Sequence, residues 1–285
     1  MFNLYFAGTD PHADDLLQER HALRLFSQSN ERNRIEQWKA VNCADRLFID
    51  SGAFSVAHTG KTVDIDEYIN YINSNPNIPV FVELDVIPFP VLNAQTSRQC
   101  AEDSWKNYLY MKERVTTDCH LLPLYHFGEP WLALDRILNT RVNGELPEYI
   151  GIGGRHGVSK YEQEVYFDRI FTIIQQSNNP NVKVHAFGMT MLDTLEKFPF
   201  YSADSTSWLK TAITGSIITE TCGTIYTGKQ LTGVVLDEIT QKGFTVNELI
   251  TDYTKRMRFN VLTYLKWAET YQYKGKKSFN SSVLF

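Results

Sequence analysis

Short apolar runs alternate with helical patterns along the chain, and this alternation constrains the fold most strongly. The runs predicted to form buried strands are residues 4–7, 46–50, 80–85, 121–126, 149–151, 182–187 and 200–204. Residues 217–226 are either an eighth strand or a hairpin. Helical patterns cover 14–38, 65–72, 94–115, 159–176 and, at the end, 246–273. Seven or eight strands separated by helices predict an α/β protein, a single (β/α)8 TIM-like barrel.

Length and composition fit that prediction. The chain has 285 residues, of which 43% are hydrophobic and 21% charged, which suits one barrel domain over residues 1–285 with a C-terminal helix and basic tail at 245–285. No apolar run reaches the length of a membrane span, and the N-terminal residues lack the features of a signal peptide. We therefore expect no membrane association.

The four cysteines are scattered and form no CxxC or CxC pair. Their spacing argues against a zinc site and favours a reducing compartment, so we expect a cytoplasmic protein, in the host cytoplasm if a phage encodes it. We expect neither a metal nor another cofactor.

Aspartates follow three of the predicted strands, at Asp50, Asp85 and Asp204. The carboxyl ends of the strands are where a parallel α/β barrel carries its chemistry. Each aspartate also has a structural interpretation: Asp204 as a helix cap, Asp50 as an Asx-turn former and Asp85 as a turn former before prolines. Three carboxylates converging on one rim favour the functional interpretation.

A glycine pair, Gly153-Gly154, follows a fourth strand. Glycines at this place let the backbone approach a ligand closely and offer N–H donors to it. The surrounding GIGG is not the dinucleotide fingerprint, and the chain has no GxxxxGK[ST] phosphate loop.

Taken together, these stretches resemble the tRNA-guanine transglycosylase superfamily. LFIDSGAFS is similar to that family's DSGG(Y/F)Q segment, ELDVIPFP to DECTP(Y/F)P, and YIGIGGRHGVSK to (A/V)GGLxxGE. VHAFGMT is similar to (Y/L)MGVG and FYSADS to (M)FDC(V). The order and spacing match over residues 46–206, more than half of the chain.

The resemblance implies roles for the matched positions. Asp204 matches the nucleophile that attacks the sugar C1′ and holds a covalent glycosyl intermediate, and Asp50 matches the acid/base group. Asp85 matches the residue that recognises the edge of guanine or a deazaguanine. The other substrate-binding positions are Ser51, the stacking Phe54, Phe187 on the opposite face of the base, the backbone donors Gly153 and Gly154, and Phe127 and Arg155.

Two of these positions depart from the family. Phe127-Gly128 stands where the family has a Gln-Gly pair that contacts the base carbonyl, and Arg155 replaces a leucine. Either His126 or Arg155 substitutes for the lost contact, or His126 is a structural histidine. His185 is expected to pack behind the site.

The chemistry suits the assigned residue types. Base exchange at C1′ passes through an oxocarbenium-like state that a carboxylate stabilises and can trap. The departing base needs a proton and the incoming base must lose one. An aspartate recognises a base that brings N–H donors, as guanine does, and a duplex must first release that base into a pocket.

The zinc site of the tRNA enzymes is missing, since only Cys222 stands in the corresponding region. This loss resembles the shorter branch of phages and bacterial modification islands, which exchanges guanine in DNA for a 7-deazaguanine such as preQ0. The implied partners are DNA and the free 7-deazaguanine base, and a homodimer is one expected assembly because the tRNA members form dimers. The alternatives are a tRNA-directed enzyme, a non-catalytic partner subunit that holds nucleic acid, and an unrelated barrel hydrolase.

A basic segment near the C-terminus is the candidate contact for nucleic acid. The net charge of the chain is −5, which does not indicate a general nucleic-acid binder. The segment is either a solvated helix with a basic tail or a phosphate-contacting face. Its candidate residues are Lys255, Arg256, Arg258, Lys274, Lys276 and Lys277.

Overall fold

The computed structural model describes residues 2–53, 62–87, 93–154, 159–189 and 191–275. Nine strands form one parallel sheet within these ranges, in the spatial order β5-β4-β3-β2-β1-β9-β8-β7-β6. Their bounds are β1 Asn3–Ala7, β2 Leu23–Ser27, β3 Leu47–Asp50, β4 Val80–Val82, β5 His120–Leu122, β6 Leu124–Tyr125, β7 Tyr149–Gly153, β8 Lys183–Phe187 and β9 Ser202–Ser205.

The two ends of this sheet are consecutive in the chain, and the sheet therefore closes into a barrel. Only Pro123 separates β5 from β6, and the two segments pair with opposite neighbours, β4 and β7. Proline has no N–H to give to a strand ladder, which explains the break at this point. At this break, the side chain of Glu83 accepts the backbone N–H of Leu124 at 2.6 Å. Counting β5 and β6 as one interrupted strand gives a barrel of eight strands.

A helix follows each of the eight barrel strands. They are α1 Pro11–Glu19, α2 Arg32–Ala40, α3 Ile65–Asn73, α4 Ala94–Arg114, α5 Trp131–Asn139, α6 Lys160–Gln176, α7 Leu192–Leu195 and α8 Ser207–Ile213, with a short 3-10 helix at Ala44–Arg46 before β3. The predicted (β/α)8 barrel is confirmed. Ser159 caps α6, as the sequence predicts, by accepting the N–H of Glu162.

The apolar residues form two layers, one on each side of the strands. Side chains such as Tyr5, Phe48 and Tyr149 point into the barrel and fill its interior. Alternate residues, such as Phe6 and Ile49, point outward and pack against the helices. This period of two along each strand directs the last inward residue of a strand toward the barrel mouth.

The predicted helix over 14–38 is wrong, because β2 lies in its middle. Arg24 in this strand gives it a polar pattern, yet the residue is fully buried. Its guanidinium points into the helix layer, donates to the carbonyl of Gly8 at 2.7 Å, and lies 4.6 Å from the ring centre of Phe26. A charged side chain that is paired and stacked in this way can occupy an outward strand position.

Residues 217–226 are accordingly not a barrel strand but the hairpin that the sequence left open. β10 Ser216–Thr219 and β11 Gly223–Tyr226 pair antiparallel outside the barrel. The helices α9 Gly233–Gln241, α10 Val246–Thr251 and α11 Tyr253–Thr270 follow, so the predicted single closing helix is two helices joined at Asp252. None of the helices in the described ranges combines the length and apolarity needed to cross a bilayer.

Candidate active site

The predicted aspartates all lie at the carboxyl-terminal mouth of the barrel. Asp50 ends β3, Asp85 follows β4, and Asp204 lies in β9. The strands of Asp50 and Asp85 are neighbours, whereas β2 and β1 separate β3 from β9. The negative charges of both Asp85 and Asp204 nevertheless act on Asp50. The three carboxylates therefore share one mouth, as the sequence predicted.

The part of the chain that the structure describes holds Asp204 through one of its two oxygens. Its Oδ1 accepts the backbone N–H of Gly188 at 2.8 Å and lies 3.3 Å from Nε2 of His185. Within the described residues Oδ2 has no hydrogen-bond partner. The helix-cap interpretation is wrong, because α8 begins at Ser207 and its N-cap is Thr206. Among the described residues, the buried carboxylate thus has one oxygen held by donors and one oxygen without a hydrogen-bond partner.

Asp50 combines the two roles that the sequence left open. It forms the Asx turn, since its Oδ2 accepts the N–H of Gly52 at 3.3 Å. Loss of hydration, together with the negative charges of Asp85 and Asp204, raises the pKa of Asp50 to about 7. A carboxyl group with this pKa exchanges its proton near neutral pH, which suits an acid/base catalyst.

Asp85 is buried, and both of its oxygens are engaged. Oδ1 accepts the hydroxyl of Ser51 at 3.0 Å, and Oδ2 lies 2.8 Å from Nε2 of His126. The backbone N–H of His126 in turn donates to Glu129 at 3.1 Å. Burial alone would lower the pKa of His126, but its bond to Asp85 and the charges of Asp85, Glu129 and Asp50 outweigh burial and raise it.

Glycines on the inner face of β7 make room for neighbouring rings. A Cβ on Gly151 would lie 2.5 Å from the Phe187 ring, and one on Gly153 would lie 2.9 Å from Nδ1 of His126. Gly154 lies beside the carbonyl oxygen of Phe187, 3.2 Å from where its Cβ would stand. The glycine motif therefore positions His126 and Phe187, and its predicted role as a donor to a base stays a prediction.

A further glycine, Gly52, shapes the turn beside Asp50. It has a φ of +87°, and a Cβ on it would lie 2.0 Å from Oγ of Ser29. A residue with a side chain would be strained here and would also collide, so the turn that positions Asp50 depends on glycine.

The aromatic candidates divide between the mouth and the helix layer. Phe187 stands against His185, with ring centres 4.3 Å apart, and against Phe48. Phe127 instead packs against Tyr166 of α6 at 4.8 Å. The predicted positions Phe54 and Arg155 lie outside the described residues.

The predicted basic segment does not form one face at the mouth. Arg256 is buried, and its guanidinium donates to the carbonyls of Ala212 and Leu249, each at 2.7 Å. This arrangement does not support the prediction that Arg256 contacts nucleic acid. Arg258 pairs with Asp15, with both nitrogen–oxygen distances at 2.9 Å.

Lys255 and Lys274 lie at opposite ends of the barrel. Lys255, near Glu248 at 3.6 Å, is close to Tyr253, whose hydroxyl reaches Asp10 just past β1. Lys274 pairs with Glu196, and the neighbouring Tyr271 packs on Phe2 at the start of β1. The prediction of one phosphate-contacting face from Lys255 to Lys274 is therefore not supported. Lys276 and Lys277 lie outside the described residues.

Sequence reasoning placed His185 behind the site, where it lies, but missed its polar partners Ser202 and Tyr149 inside the barrel. His185, Ser202 and Tyr149 are buried and bonded to one another beneath Asp204. The available signal was their position on inward faces: His185 lies two residues before the inward Phe187, and Ser202 two residues before Asp204. Among the residues described, no group of three or more His, Cys, Asp or Glu side chains could hold a metal ion.

The fold and these residues define a (β/α)8 barrel with a carboxylate-lined mouth. Comparison with protein-family models and with curated proteins gives no match. The resemblance to the transglycosylase superfamily consequently rests on the ordered motifs alone, and the function that it implies is a proposal.

Proposed function

We propose that this protein exchanges a base in DNA, replacing guanine with a 7-deazaguanine through a covalent glycosyl-aspartate intermediate. The observation that carries the proposal is the contrast between Asp50 and Asp204 in one mouth. Asp50 has a pKa of about 7, raised by burial and by the nearby carboxylates, whereas Asp204 has one oxygen fixed by donors. Carboxylates in environments this different divide into an acid/base group and a nucleophile.

Asp204 is the proposed nucleophile. Its Oδ2 attacks C1′ of the nucleotide while the bond from C1′ to the guanine nitrogen breaks. Asp50, protonated near neutral pH, gives its proton to the departing base and later takes one from the incoming base. The incoming nitrogen then attacks C1′ and displaces Asp204, so two displacements retain the configuration of the sugar.

Asp85 and His126 are the proposed base-recognition pair. A guanine-type base presents N–H donors, which a carboxylate accepts. Because both oxygens of Asp85 already have hydrogen-bond partners, the bound base replaces either the Ser51 hydroxyl or His126 as a partner of this carboxylate. His126 keeps its proton more readily than an ordinary histidine, and it can therefore donate to a base carbonyl in place of the family's glutamine.

DNA is preferred over tRNA as the substrate because the zinc-site cysteines of the tRNA enzymes are missing. Cys222 is exposed and lies at the turn of the β10–β11 hairpin. The tRNA-directed reaction uses the same chemistry, and experiment can separate the two.

The test incubates the full chain with radiolabelled guanine or preQ0 and either duplex DNA or tRNA. We expect label in DNA only. Label in tRNA only would support the tRNA enzyme, and no label in either would overturn base exchange and favour a partner subunit or an unrelated hydrolase.

A second measurement follows the intermediate. Wild-type protein and Asp204→Asn are incubated with DNA, denatured and examined for a covalent protein–DNA adduct. Asp103→Asn, on the exposed surface of α4, is the matched control. An adduct with wild type and Asp103→Asn but not with Asp204→Asn is expected; an adduct that survives Asp204→Asn removes this residue from the nucleophile role.

A further inference from the structure

A chain of three buried polar side chains leads through the barrel interior to Asp204. Nδ1 of His185 lies 2.6 Å from the hydroxyl of Ser202, and the hydroxyl of Tyr149 is bonded to that same hydroxyl. At the other end of the imidazole, Nε2 lies 3.3 Å from Oδ1 of Asp204. His185 and Ser202 have no exposed surface. Buried polar groups are costly unless all are satisfied, so the direction of each hydrogen bond matters.

The order of donors in this chain is fixed once Asp204 is ionised. A carboxylate only accepts, so Nε2 of His185 carries the proton that it donates. Burial outweighs the charge of Asp204 and lowers the pKa of His185, so the ring is neutral and its Nδ1 accepts. Ser202 then donates to Nδ1 and accepts the proton of Tyr149. Burial raises the pKa of Tyr149, which keeps this phenol protonated as the first donor.

The ring of His185 is also held by packing. The rings of Phe187 and Phe48 have centres 4.3 and 4.6 Å from it, and Tyr5 from β1 lies at 5.8 Å. The titratable groups that face the imidazole are thus Tyr5, Tyr149 and Asp204. A ring enclosed in this way cannot turn over without disturbing the barrel core.

We infer that Tyr149, Ser202 and His185 form a positioning chain that fixes His185 as the Nε2–H tautomer and holds Oδ1 of Asp204, leaving Oδ2 to attack. His185 and the N–H of Gly188 together give Oδ1 two donors. The inference that Oδ2 attacks the sugar rests on the proposed function, whereas the tautomer of His185 is a property of the protein alone.

The chain has a consequence for the second displacement. When Oδ2 is bonded to C1′, Oδ1 is the carbonyl oxygen of a glycosyl ester. As the incoming base attacks C1′, the C1′–Oδ2 bond breaks and its electron pair returns to the carboxylate. The donors from His185 and Gly188 stabilise that returning charge, as an oxyanion hole does. Loss of His185 should therefore slow release of the intermediate.

Nuclear magnetic resonance tests the tautomer without any substrate. The full chain is labelled with ¹⁵N-histidine, and His185 is assigned from the signal lost in His185→Gln. We expect a ring that is neutral at pH 8, is protonated at Nε2 and titrates at a lower pH than an exposed histidine. A neutral ring protonated at Nδ1, or a ring that is cationic at pH 8, would overturn the inference. If base exchange fails while this tautomer is found, only the proposed function has failed.

Kinetics test the positioning role. His185→Phe keeps a packed ring without donors, and His185→Gln keeps an N–H that can reach Asp204. We expect kcat to fall about 10- to 100-fold in His185→Phe with KM little changed, and His185→Gln to restore most of it. Covalent adduct should accumulate in His185→Phe. Equal rates for the two variants would show that His185 only fills space.

Ser202→Ala provides a second route if His185→Phe does not fold. It removes the hydroxyl that lies 2.6 Å from Nδ1 and leaves only the Tyr149 hydroxyl, 3.5 Å from that nitrogen, so the ring should be held less firmly and kcat should fall several-fold. The matched control is Thr227→Val, which removes a buried hydroxyl bonded to the carbonyl of Gly215 outside the barrel. An unchanged kcat in Ser202→Ala would contradict the positioning role of the chain.

Discussion

Buried carboxylates occur in pairs at two places on the barrel, and the surroundings of the two pairs differ. Asp50 and Asp204 share the mouth, whereas Glu83 and Glu129 lie between the strands and α5. Burial is the leading cause in both places, raising the pKa of Asp50 and of Glu129 to about 7 each and that of Glu83 well above its usual range. A shifted pKa by itself therefore does not identify the active site.

Access and bonding separate the two pairs. Glu83 and Glu129 line a cavity of about 10 Å³, room for one water molecule and for no substrate. Their backbone bonds are structural, since Glu83 accepts the N–H of Leu124 at the barrel break and Glu129 accepts that of His126. Asp50 retains exposed surface at the mouth. The mouth pair should serve chemistry, whereas the cavity pair should serve the structure by accepting the backbone N–H groups of Leu124 and His126.

The strongest test of this contrast is Asp50→Asn. Base exchange should fall roughly 10²- to 10⁴-fold, because no group remains to move the proton. Stability at pH 8 should rise by roughly 1–3 kcal/mol, because a carboxylate that ionises at about pH 3.9 in the unfolded chain is held near 7 in the fold. Initial rates and urea unfolding measure the two effects. A variant that is less stable and fully active would reverse the assignment.

The sequence predicted the barrel and the aspartates because both depend on local patterns. Apolar runs of strand length, and an aspartate at the end of three of them, can be seen in consecutive residues. Arg24 shows the limit: its charge conceals β2, and only the packing of Phe26, Trp38 and Asp14 around it, from three separate elements, makes that strand position favourable.

The partners of the aspartates could not be predicted, because they come from distant parts of the chain. His126 meets Asp85 across 41 positions, and Tyr149 meets Ser202 across 53. Such contacts depend on barrel closure and register, which a single sequence does not specify. The prediction of one basic face is not supported for a related reason. The helix α11 runs from the mouth to the far end of the barrel and separates Lys255 from Lys274.

Glu83→Ala tests the structural side of the contrast. It leaves the N–H of Leu124 without its acceptor and enlarges the cavity, so we expect a loss of about 2–4 kcal/mol in urea unfolding. Exchange activity per folded molecule should stay within a few-fold of wild type. Glu83→Gln keeps the acceptor oxygen and should lose less than about 1 kcal/mol. If Glu83→Ala is stable but inactive, the cavity belongs to the catalytic machinery.

Glu129→Gln sharpens the comparison through pH. The pKa of Glu129 is raised to about 7 in the fold by burial, and the unfolded carboxyl ionises near 4.3. Its contribution is therefore favourable below pH 4 and is lost as pH rises toward 7. The free energy of unfolding of Glu129→Gln should therefore fall less than that of wild type between pH 4 and 8, by roughly 1–2 kcal/mol. The difference between the two curves of stability against pH measures this effect. Parallel curves would show that Glu129 ionises normally.

The smallest effect is expected from Gly153→Ala, which joins the two regions through His126. The added Cβ would stand 2.9 Å from Nδ1 of His126, so the ring must move away from Asp85. Because the base-recognition pair is displaced while Asp50 and Asp204 are untouched, KM for the free base should rise about 3- to 10-fold with kcat nearly constant. Gly233→Ala, where a Cβ meets nothing within 4 Å, is the control. A fall in kcat at constant KM would instead place His126 among the groups that act on the reacting bond.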